Sequence, residues 1–144
     1  QDRVGRDKMN NLLTSIFTKC SGSALSTAVG GRIFEGEAPE GTEFPYVVLS
    51  IVTDTQADTF KSKLEDITIQ FSLYSISKGL TEITGMFANL KALFDDAVLT
   101  ITANYHILIS RQNLTTMFDD ITTPDGTVGL RHWAVDYWII TELS

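Results

Sequence analysis

The sequence predicts an α+β fold: a mainly antiparallel sheet with two main helices packed on one face, in the order α-β-β-α-β-β, with long hairpin arms. Three observations predict it. Two segments alternate apolar and polar residues with the period of a half-buried strand. Two others repeat apolar residues every three or four positions, as one helix face does. The strands come in pairs, and a helical segment separates the pairs.

The first helix is expected from Asp7 to about Cys20, where Leu12, Leu13, Ile16, Phe17 and Cys20 share one face. Ser21-Gly22-Ser23 interrupts it, and a short helical piece, Ala24 to Ala28, ends at Gly30-Gly31. Gly36 to Gly41, with Pro39, reads as a loop. Pro45 precedes Tyr46 to Val52, a strand apolar on both faces and therefore central in the sheet. Leu64 to Ser75 is the clearest strand: Ile67, Ile69, Phe71 and Leu73 point one way, Thr68, Gln70 and Ser72 the other. Ser75 or Ser77 is expected to cap a second helix running to about Asp95, with Leu80, Ile83, Phe87, Leu90 and Phe94 as its stripe. A short strand from Leu99 to Thr102 and a longer one from Tyr105 to Leu114 follow. In the last strand, Leu130 to Leu143, Trp133, Val135, Tyr137 and Ile139 oppose His132, Ala134 and Asp136. With no repeat, low-complexity tract or linker, one domain covers 1–144.

Two connections are longer than a hairpin needs. Thr53 to Lys63 is polar and carries Asp54, Asp58, Lys61, Lys63 and one isolated aromatic, Phe60. Thr115 to Gly129 carries Met117, Phe118, Asp119, Asp120 and Ile121 before a Pro124-Asp125-Gly126 turn. Apolar residues on such segments are candidate contacts for a partner. The plainer reading is that each segment folds back and tucks its aromatic into its own domain. Asp119 and Asp120 are placed to meet basic residues of a neighbour.

The composition excludes several function classes. The chain has 144 residues, 43% of them hydrophobic and 20% charged, with a formal net charge of −7. An acidic surface argues against phosphate-backbone binding, yet is compatible with a channel through which DNA slides without sticking. No apolar run reaches the ~20 residues of a membrane helix, and Gln1 to Met9 lacks the pattern of a signal peptide. The single cysteine, Cys20, cannot form an internal disulfide and reads as a small core residue in a reducing compartment.

Motifs of chemistry are missing. His106 and His132 each lie inside an expected strand, with no metal-ligand partner at a recognised spacing. A triad of His132, Asp136 and a serine has no nucleophile elbow behind it. Gly30-Gly31 belongs to no phosphate-binding loop. Asp95-Asp96 falls at a helix C-terminus, which disfavours carboxylates, and reads as solvated. The sequence points to no catalytic residue, metal or cofactor.

Gly31-Arg32-Ile33-Phe34, the loop Ala38-Pro39-Glu40-Gly41-Thr42, Phe44-Pro45-Tyr46-Val47-Val48-Leu49 and Gln70-Phe71-Ser72-Leu73-Tyr74 follow one another at a telling spacing. A helix and a last strand containing Arg131 complete the set. From about Asn11 to Glu142 this resembles the tail-completion (tail-terminator) proteins of long-tailed bacteriophages. The resemblance implies a non-enzymatic virion protein that forms a hexameric ring at the head-proximal end of the tail. The ring would stop tail-tube polymerisation and join the tail to the head connector, after assembly in the host cytoplasm. Its implied partners are further copies of itself, the tail-tube protein and the head-completion protein, with DNA passing through the lumen unbound and no membrane involved.

Two other readings stay open. One is a different phage structural role, such as a tube subunit or head-closure protein. The other is a small enzyme or ligand-binding domain, which requires a deep pocket beside His106 or His132 with polar groups converging in it.

Overall fold

A computed structural model describes residues 13–56, 63–95, 98–99 and 105–143. Three helices and six strands follow in chain order. They are α1 (residues 13–20), α2 (Ala24–Ala28), β1 (Ile33–Glu35), β2 (Tyr46–Gln56), β3 (Lys63–Ser75), α3 (Thr81–Phe94), β4 (Val98–Leu99), β5 (Tyr105–Thr123) and β6 (Gly126–Leu143). The strands form one sheet in the order β1-β2-β3-β6-β5-β4. Only β1 and β2 run parallel; every other neighbouring pair is antiparallel.

The alternation expected in β3 and β6 decides which side of the sheet is core. Across the register, Val47 pairs with Leu73 and Leu73 with Trp133; Leu49 pairs with Phe71 and Phe71 with Val135; Ile69 pairs with Tyr137 and Ile67 with Ile139. These residues join Leu13, Ile16 and Cys20 of α1, Leu25 of α2, and Ile83, Met86, Leu90 and Phe94 of α3 in one hydrophobic core. Phe94 stacks on Phe71 at 5.0 Å and meets Tyr137 edge-on at 6.0 Å. Burying such rings and aliphatic chains stabilises by about 1.5–3 kcal/mol each, before the entropy of ordering them is counted.

Several expectations change. Leu80 is not part of the α3 stripe: it occupies the N-cap position, exposed, and Met86 takes the buried place. Neither Ser75 nor Ser77 caps α3. The Ser75 hydroxyl instead donates to Glu82 Oε1 at 2.6 Å, tethering the first turn through an acidic residue favoured there. β1 was not expected from sequence; three residues are too few to show a period, and pairing with β2 makes it a strand. β4 begins one residue before the expected strand and is described only to Leu99. The residues of the first expected helix before 13 lie outside the described set.

The two long connections lie at opposite ends of the sheet, and only the second is flanked by a ribbon that leaves it: β3 stays paired with β6 to Lys63 and Leu143, and β6 with β5 to Tyr105. β2 and β3 remain paired out to Gln56 and Glu65, beyond a bulge between Ile51 and Thr53. At the other end β3 stops at Ser75, opposite Arg131, while β5 and β6 continue as a pair to Thr123 and Gly126. The five residue pairs beyond Arg131 carry this ribbon about 17 Å past the sheet at the usual strand rise. Pro124-Asp125 makes the turn, in which the Thr123 hydroxyl donates to the Gly126 carbonyl at 2.9 Å. Gly126, at φ +118°, has a backbone conformation that side chains disfavour.

Candidate functional site

The residues expected to meet partners divide between the two ends of the sheet. Met117, Phe118, Asp119, Asp120 and Ile121 all lie on β5, and the structure brings them together. Asp54 and Lys63 belong to β2 and β3 at the opposite end and are described by backbone only. Asp58, Phe60 and Lys61 lie outside the described residues.

On the β5–β6 ribbon, alternation splits the candidates between two faces. Phe118 and Asp120 point to the helix side of the sheet; Met117, Asp119 and Ile121 point to the other. Phe118 is 61% exposed, but its ring lies 4.7 Å from the Arg131 guanidinium and covers Gly129. A Cβ at Gly129 would stand 2.5 Å from that ring. The aromatic therefore folds onto its own ribbon while leaving a large surface to solvent. Asp119 Oδ1 accepts the Asp120 backbone N–H at 2.8 Å, which orients one carboxylate and leaves the second free.

A second surface was not anticipated. The sheet face opposite the helices carries cross-strand rows, each built from one residue per strand. Tyr46, Tyr74, His132 and Met117 form the first row, Val48, Ser72, Ala134 and Thr115 the second, and Ser50, Gln70, Asp136 and Asn113 the third. In the first row the rings stack: Tyr46 on Tyr74 at 4.7 Å and Tyr74 on His132 at 4.3 Å. Phe44 and Phe34 extend it beyond Tyr46, at 5.1 and 6.3 Å. In the third row Gln70 Nε2 donates to Asp136 Oδ1 at 2.9 Å. The β-strand alternation signalled an outward face but not that its aromatics fall into register.

The two motifs that carried the family resemblance meet at the end of this row. The Arg32 Nε donates to the Pro45 carbonyl at 3.0 Å, and its Nη2 to that of Phe44 at 3.4 Å. The Val47 N–H returns a bond to the Arg32 carbonyl at 3.0 Å. Gly-Arg-Ile-Phe and Phe-Pro-Tyr-Val are thus two sides of one parallel strand junction, cross-braced by a guanidinium.

The titratable groups carry structure. Burial lowers the His132 pKa from its usual value. Burial also pushes the Cys20 thiol up to about 11, against a small opposing effect of Lys19. Tyr137 is raised by burial first and then by its hydrogen bond to Asp95. Among the described residues, no group of three His, Cys, Asp or Glu is placed to hold a metal. A cleft of about 390 Å³ lies between α1 and β1, lined by Phe17, Thr18, Cys20, Ser21, Ser26, Gly31 and Ile33. His132 does not line it, and the side chain of His106 is outside the described set. No helix is long and apolar enough to cross a membrane among the described residues.

Comparison with known proteins agrees with this architecture. A chain from a structure described as the virion of a native gene transfer agent (GTA) particle superposes with a TM-score of 0.60 at 13% identity, over 90% of this chain and 92% of that one. At that identity the likeness is one of fold. Curated proteins give no match. The model of the family described as "Tail completion protein gp17" matches residues 14–142, from α1 through β6. The chain belongs to the tail completion protein gp17 family.

Proposed function

We propose that this chain is a phage tail structural protein that closes into a ring, a hexamer, at the head-proximal end of the tail. There it ends growth of the tail tube and joins the tail to the head-completion protein. The observation that carries the reading is the family match over nearly the whole chain. The two unlike ends of the sheet, one drawn out into the β5–β6 ribbon and the other closed by β2, β3, β6 and β5 side by side, support it, because a ring subunit needs two different, complementary surfaces rather than one self-complementary patch. Asp54, Asp58, Asp119 and Asp120 supply lumen or inter-subunit charge, in keeping with a formal net charge of −7, so that DNA passes without adhering. Phe60, Lys61, Lys63, Met117, Phe118 and Ile121 contribute contacts to neighbouring copies, the tube or the connector. The subunit assembles in the host cytoplasm and resides in the virion neck.

Light scattering across a concentration series, followed by negative-stain imaging, tests this. A closed ring of about six copies, in isolation or on purified tail tubes, is expected for closed cyclic assembly. Open-ended stacks would identify a tube subunit instead. A monomer that neither self-associates nor binds tube ends would overturn the reading.

A further inference from the structure

The sheet face opposite the helices bears a band whose chemistry selects its occupant. Tyr46, Tyr74 and His132 form a stacked wall, and the small residues Val48, Ser72 and Ala134 lie between that wall and the Gln70–Asp136 row. All three small residues are buried although, among the described residues, no helix covers this face. The outcome is a band that runs across four strands, aromatic along one side and polar along the other. The two sides lie four residues apart on each strand, about 13 Å at the strand rise. That width suits one extended chain.

Charge narrows the choice further. Asp136 accepts from the Gln70 amide, and among the described residues no cation lies within ion-pair reach of it. At the β1 end, exposed Glu37, Glu40 and Glu43 lie in the chain between Phe34 and Phe44, and Arg32 lies within ion-pair reach of Glu43, at 4.0 Å. Asp119 shares the face at the β5 end, two residues beyond Met117. Carboxylates thus lie at both ends of the aromatic row and along its side. Guanidinium groups pair with carboxylates and lie against aromatic rings.

From this arrangement we infer that the face docks an extended, arginine- or lysine-bearing segment of another polypeptide. The segment lies across β2, β3, β6 and β5, with a cationic side chain on Asp136 and others on the glutamate loop. This surface meets the β5–β6 ribbon at Met117 and Asp119, and docking on it does not depend on ring formation.

The probe is a synthetic peptide of alternating arginine and threonine, with a glutamate–threonine peptide as the charge control. Both are titrated into the full chain and followed by amide NMR, with particle mass measured in parallel. Saturable shifts centred on residues 46, 74, 132 and 136 are expected for the arginine peptide only. Asp136→Asn is expected to weaken binding about tenfold, as for loss of a charge-assisted contact. Ala134→Tyr, which raises a bump in the band, is expected to abolish it. Shifts scattered over all acidic residues, or affinity unchanged in Asp136→Asn, would overturn the proposal. The same shifts appearing with concentration and no peptide would overturn it in favour of a second copy on this face. Ring mass unchanged in Asp136→Asn separates failure of docking from failure of assembly.

Discussion

The Tyr137 hydroxyl donates a 2.7 Å hydrogen bond to Asp95 Oδ1, tying the buried side of β6 to the residue that ends α3. Asp95 stands where the helix dipole disfavours a carboxylate. The Arg111 Nε, 3.1 Å from the same oxygen, supplies the compensating cation. A carboxylate that reads as solvated in sequence thus fastens a helix to the sheet.

Removing the hydroxyl tests the tie. Tyr137→Phe keeps the ring in the core and is expected to cost about 1.5–3 kcal/mol, the range for a lost hydrogen bond to a charged group. Equilibrium denaturation measures it. A double-mutant cycle with Asp95→Asn should show coupling, and additive losses would mean the bond contributes nothing of its own. Because the folded pKa of Tyr137 lies above its usual value of 10.0, its stabilising effect is complete below pH 10 and is lost as the pH climbs beyond it.

Cys20 should be inert in the native protein. A thiol pushed up to about 11 and 2% exposed has almost no thiolate near neutrality. A thiol reagent should label it only at the rate of unfolding, read from the dependence of labelling on denaturant. Rapid labelling in buffer would show that α1 opens independently.

His132 gives stability an acid-side slope. Its folded pKa lies below 6.5, so the unfolded chain takes up the proton more readily. The stabilisation is present in full above pH 6.5 and is lost as the pH falls through the folded value. In His132→Gln that part of the slope should vanish, leaving a flatter curve of stability against pH below 6.5. An unchanged curve would mean that other groups carry it.

Phe118 separates folding from assembly. At 61% exposed, its replacement by Ala should alter stability by less than about 0.5 kcal/mol. The same change is expected to lower the ring fraction seen by sedimentation. Gly129→Ala should act similarly, because the new methyl displaces the Phe118 ring. Equal ring content in both variants would remove the ribbon from the interface.

Neutralising charge addresses the lumen. With Asp54, Asp58, Asp119 and Asp120 all changed to Asn, assembly or infectivity should fall. If both persist at the original level, these carboxylates line neither lumen nor interface.

What could be read in the sequence follows from how locally each feature is encoded. β3 and β6 were legible because each buries one face, so Ile67 to Leu73 and Trp133 to Ile139 alternate visibly. Residues 115 to 129 were readable as a long hairpin arm but not by alternation, because beyond Arg131 the ribbon has no third strand beside it and both faces accept polar residues. Phe118 kept both of its sequence readings: it turns back on Arg131 and Gly129, and still leaves most of its surface in water. The aromatic row was invisible because Tyr46, Tyr74 and His132 become neighbours only through register. Asp95 was misjudged for the same reason, since its partner lies 42 residues along the chain.

The β5–β6 ribbon gives the subunit a direction. One end of the sheet finishes in the Pro124-Asp125 turn and its acidic flanks, the other in β2, β3, β6 and β5 side by side. A body with unlike poles cannot be inverted without changing what it offers above and below. Copies set side by side with their strands aligned therefore make a plate with two chemically different sides, and only one of those sides can match a given surface.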